Sequence, residues 1–78
     1  MASNPRPLSV IAVDIRAHWA KPNFAAIPYL EAMESLHWID DYYYNDPASS
    51  IVRYFLGNAT TWRGEDARRI KAELKGML

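Results

Sequence analysis

The sequence predicts an all-α domain, a compact four-helix fold with a C-terminal helix-turn-helix or αα-hairpin. Apolar residues recur at one-turn spacing in four separate stretches, the signature of helices that each bury one face. Proline, glycine and asparagine fall between those stretches, where helices stop and start. The single strand-like run, residues 37–45, has no second run of comparable propensity to pair with, and an unpaired strand leaves its backbone unsatisfied.

Taken in order, residues 1–7 hold two prolines and no periodic pattern, and are expected to form a mobile leader before a single helical domain at 8–78. Leu8, Ile11, Ala12, Ile15 and Trp19 mark the inner face of a first helix over 8–20, with Pro7 or Ser9 able to start it. Lys21-Pro22-Asn23 stops it, because proline disfavours helical geometry in the residue before it. A second helix over 26–38 opens with Pro28 in its first turn and faces Ile27, Leu30 and Met33 inward. Its end, with Trp38, Ile39, Tyr42, Tyr43 and Tyr44, reads as an aromatic-rich loop. Asp46-Pro47 resembles an N-cap followed by proline at the first position of a third helix over 47–57.

The strongest pattern is C-terminal. Ile51, Val52, Phe55 and Ala59 form one stripe, and Ala67, Ile70, Leu74 and Met77 form another, predicting a fourth helix over 61–77. Gly57 and Asn58 tolerate the positive φ of a helix stop, and Thr60 or Thr61 can cap the helix that follows. Gly64, expected within the first turn of that helix, costs up to about 1 kcal/mol relative to alanine, which implies close packing against that turn.

Composition narrows the function classes. A chain of 78 residues buries only about 60–65% of the surface its unfolded form exposes, so its stability margin is thin. Three Trp, five Tyr and two Phe offset that limit with bulky apolar area. The absence of cysteine removes disulfides, thiolate metal sites and thiol nucleophiles, and fits a reducing cytoplasm. No run without a charge is longer than residues 22–30, far short of the roughly 20 apolar residues of a membrane-spanning helix.

The formal net charge is zero, yet residues 1–50 carry a balance of −3 and residues 51–78 a balance of +3. Such asymmetry marks either a basic binding face or two halves that attract each other, and the second suits a compact fold.

Candidate sites are few. Asp14 with His18 and His37 with Asp41 are spaced four apart, so on helices each pair could offer an imidazole and a carboxylate to a metal. Carboxylates that merely steady a surface histidine share that spacing, and no metal or cofactor is inferred. Arg68, Lys71 and Lys75 form a basic stripe with Arg63 near its start, which a helix-turn-helix would present to a DNA groove. The neutral overall charge opposes phosphate binding. Trp62 and Arg63 are residue types that dominate binding hot spots, so the turn around Gly64 is either a contact surface or core packing. Tyr42, Tyr43 and Tyr44 pose the same question, since three successive rings cannot all point inward. No phosphate-cradling loop or nucleophile turn is present, which speaks against an enzyme.

The chain resembles a group of small bacterial proteins often encoded in phages and prophages. The resemblance rests on Ile11, Ala12, Ile15, Arg16 and Trp19, on PYLEAM at residues 28–33, and above all on YFLGNATTWRGEDARRIKAEL at residues 54–74. It implies an accessory protein of a mobile element and brings no activity, ligand or catalytic residue. The expected function is a non-catalytic protein-binding module that modulates or inhibits a host system, or a small homo-oligomer, with Tyr42, Tyr43, Tyr44, Trp62 and Arg63 as contact residues. The alternative is a DNA-binding regulator using Arg63, Arg68, Lys71 and Lys75.

Overall fold

The computed structural model describes residues 5–78. Four α-helices, α1 (Leu8–His18), α2 (Ile27–Met33), α3 (Ala48–Gly57) and α4 (Glu65–Gly76), are joined by a 3-10 turn at Phe24–Ala26 and a two-stranded hairpin of β1 (Tyr42–Tyr43) and β2 (Asp46–Pro47). The fold is therefore mostly helical rather than all-α. The radius of gyration of 11.6 Å equals, within rounding, the roughly 11.5 Å of a compact chain of this length.

The hairpin is the main correction. Tyr42 pairs with Pro47 and Tyr43 with Asp46 in antiparallel register, leaving Tyr44 and Asn45 as the loop. The strand propensity of the tyrosines was legible, but the partner is a pair of poor strand formers. Only two residues on each side are needed, and Pro47 sits at an edge where its missing N–H costs nothing.

Helix ends also differ from expectation. The helix α1 stops at His18, and Trp19 has left helical geometry at φ −126°. The helix α2 is only seven residues long, ending at Met33 instead of 38. Pro47, not Asp46, is the N-cap of α3, in extended geometry. The break before α4 is longer than a tight turn, and α4 begins at Glu65 with Gly64 as N-cap, so neither Thr60 nor Thr61 caps it. The helix α3 packs chiefly on α2, and α4 lies on α1.

Among the described residues no side chain caps α1, α3 or α4 at its start. Instead the segment after α2 supplies acceptors: the N–H groups of Leu8 and Ser9 donate to the carbonyls of His37 and Leu36 at 2.8 and 2.9 Å, and Ala48 N–H donates to Asp41 at 2.8 Å. One loop thus takes up free N–H groups at the openings of two helices, which fixes it against the body. The core lies between the helices, with Phe55, Leu8, Ile11, Ile15, Leu30, Met33, Ile70 and Leu74 fully buried.

Residues 1–4 of the expected leader lie outside the described residues, and the remainder is held down. Arg6 donates to Glu73 through both Nε and Nη2, at 2.9 and 2.6 Å. Among the described residues no helix is long and apolar enough to cross a membrane.

Candidate functional site

Tyr42 and Tyr44 are 67% and 86% exposed, whereas Tyr43 packs partly on the core. The ring of Tyr44 meets that of Tyr43 edge-on at 4.7 Å and is otherwise in water. Its backbone sits at φ +57°, the left-handed region, at the first of two loop residues. That position in a two-residue hairpin is ordinarily glycine or asparagine, because a Cβ there crowds the following carbonyl. A large apolar ring is thus held out at a strained position with little burial to offset the strain.

Trp62 is buried and serves the core. Its indole stacks on Trp19 with centroids 5.3 Å apart and planes 9° from parallel. Its Nε1 donates to the carbonyl of His18 at 3.2 Å, satisfying the carbonyl end of α1. Arg63 beside it is exposed. Because the 36–37 segment caps the start of α1 and Trp62 its end, the tyrosine group and the Trp62 turn are not brought together.

Gly64 has a different cause from the one expected. A Cβ built on it would meet nothing within 4 Å, so no neighbour demands its small size. Its φ of +109° and ψ of −177° lie in a region open essentially to glycine alone.

The two flanks of α4 differ in charge pairing. On one, Arg69 donates to Asp14 at 3.0 Å and Asp66 at 2.9 Å, and Arg6 reaches both Glu73 and Asp14. The guanidinium of Arg69 holds the Asp14 carboxyl down to about 2, well below its ordinary value. On the other flank Arg68, Lys71 and Lys75, with Arg63 ahead of the helix, take part in no ion pair among the described residues. Lys71 is half-buried over Trp62, donating to its carbonyl at 2.6 Å, and burial followed by repulsion from Lys75 and Arg63 pushes its pKa down.

The paired histidines do not make a metal centre. His18 Nδ1 sits 3.0 Å from Asp14, whose carboxylate is already engaged by two arginines. His37 and Asp41 lie in the loop after α2, where Asp41 accepts the backbone N–H groups of His37 and Trp38 at 3.2 and 2.9 Å. Among the described residues no cluster of three or more His, Asp or Glu could hold a metal ion.

A feature missed in the sequence is a cleft of about 670 Å³ between Arg6, the turn bearing Trp38, Ile39 and Asp40, and the Glu73 and Met77 side of α4. Trp38 is half exposed. The signal available was the order His37-Trp38-Ile39-Asp40-Asp41, an aromatic among carboxylates in a segment without helical spacing. No family model, curated protein or solved structure matches the chain.

Proposed function

We propose that this protein is a small non-catalytic protein-binding module, a mobile-element accessory protein that modulates a host system in the bacterial cytoplasm. The observation that carries the reading is Tyr44, an 86% exposed aromatic at positive φ. Strain kept without burial points to a use outside the free chain, and exposed tyrosine is a frequent anchor of protein contacts. Tyr42 extends the same surface; Trp62 holds the fold and contributes through the core. Replacing Tyr44 with a photo-crosslinking phenylalanine analogue in bacterial cells is expected to give one discrete protein adduct. The same analogue at Val13, which is 66% exposed on α1, is the control. A smear identical at both positions contradicts the reading, and an adduct of twice the chain mass identifies the partner as a second copy.

Arg63, Arg68, Lys71 and Lys75, which make no ion pair among the described residues, favour a second reading, a DNA-binding regulator. Glu65 and Asp66 in the first turn of α4 oppose it, since they stand where a recognition helix meets bases and phosphates. Titration of labelled duplex separates the readings: affinity that falls steeply with salt supports DNA binding, and no binding at low salt removes it.

A further inference from the structure

We propose that the cleft beside Trp38 receives an arginine or lysine side chain from a basic segment of a protein partner. This rests on the reading of the chain as a protein-binding module and names the chemistry that a partner must bring. The cleft volume of about 670 Å³ is within the range of sites that enclose a side chain or small ligand. Its charges favour a cation. The lining holds two carboxylates, Asp40 and Glu73, and one guanidinium, that of Arg6, which is shared between Glu73 and Asp14, the latter outside the lining. The C-terminal turn of α4, which contributes Gly76 and Met77, adds the partial negative charge of a helix end.

Asp40 is exposed and, among the described residues, engages in no ion pair or side-chain hydrogen bond. Its neighbour Asp41 is consumed in holding the His37 and Trp38 N–H groups, so the turn presents Trp38 on a fixed backbone. A half-exposed indole next to a free carboxylate suits a basic side chain: the alkyl stem or guanidinium plane covers the ring, while the charge reaches Asp40. Met77 and Ile39 line the apolar part of the cleft for the stem.

The test uses the full chain, an end-capped Gly-Arg-Gly-Arg-Gly peptide and its glutamate counterpart, at low ionic strength. Trp38 is the reporter, because Trp19 and Trp62 are buried. The arginine peptide is expected to change tryptophan emission saturably, and the glutamate peptide to leave it unchanged. Isothermal titration of the variants completes the test: Trp38→Ala and Asp40→Asn each weaken the arginine peptide about three- to tenfold, whereas Val13→Ser leaves it unchanged. Both variant positions are exposed, so circular dichroism is expected to show intact helices. No difference between the peptides, or equal affinity for the Trp38→Ala, Asp40→Asn and unaltered proteins, overturns the proposal. If that happens while the Tyr44 adduct persists, the binding-module reading stands without this cleft.

Discussion

Two residues of the turn before α4 owe their identity to different physics, and substitution separates them. Trp62 combines burial, stacking on Trp19 and a hydrogen bond to His18. Trp62→Ala is expected to cost about 3–5 kcal/mol, the usual penalty for deleting a buried large aromatic. In a domain whose total stability is of order 5–15 kcal/mol, and near the low end for its size, that largely unfolds the chain. A circular dichroism melt unchanged from the parent would refute the structural role. Gly64 is a backbone case: L-alanine there is expected to cost about 1–3 kcal/mol. D-alanine, for which φ +109° and ψ −177° mirror ordinary extended geometry, is expected to preserve or raise the melting temperature. Equal losses for both enantiomers would mean that space, not φ, excludes a side chain.

At the scale of elements, the hairpin carries the sharpest tension between stability and exposure. Tyr44→Gly is expected to raise stability by about 0.5–1 kcal/mol through relief of the positive φ, whereas Tyr44→Val is expected to lower it by about 1–2 kcal/mol. Urea unfolding of the pair measures both, and destabilisation by glycine would show that the ring packs in the free chain. This hairpin also shows where sequence reading reached its limit. The apolar stripes of α1, α3 and α4 were legible because each helix buries one face at regular spacing, and Leu8, Ile11, Phe55, Ile70 and Leu74 are indeed in the core. The helix ends were not, because their caps come from distant backbone such as the Leu36 and His37 carbonyls. Asp46 and Pro47 have no strand propensity, and their pairing is set by the turn at Tyr44 and Asn45. The exposed tyrosines were legible as a group, but the cleft was not, since it is assembled from Arg6, the Trp38 turn and α4 only by folding.

Across the whole molecule, ion pairs tie the chain's distant segments together. Asp14 on α1 meets Arg69 on α4, and Arg6 ahead of α1 meets Glu73, joining the two halves of opposite charge. The carboxyl of Asp14 is depressed to about 2 from an ordinary 3.8, first by the Arg69 hydrogen bond. A lowered folded-state pKa gives stability that is present above the ordinary value and lost as pH falls through the folded one. Asp14→Asn is therefore expected to lower the melting temperature at pH 7, with the difference from the parent closing between about pH 4 and pH 2. A difference that persists below pH 2 would assign the effect to packing rather than charge.

In the function proposed above, the tyrosine hairpin serves a partner and not the fold. The Tyr42→Ser/Tyr44→Ser protein separates the two when its melting and its co-purification with that partner, by affinity tag and without a crosslinker, are measured together. Substitution of exposed side chains is expected to change stability by no more than about 0.5 kcal/mol each, a shift of a few degrees in a domain this size. The melting temperature is expected to stay within about 5 °C of the parent, while the protein that the Tyr44 adduct identifies no longer co-purifies with the tagged variant. A fall of more than about 10 °C with the partner still co-purifying would assign the tyrosines to the fold instead.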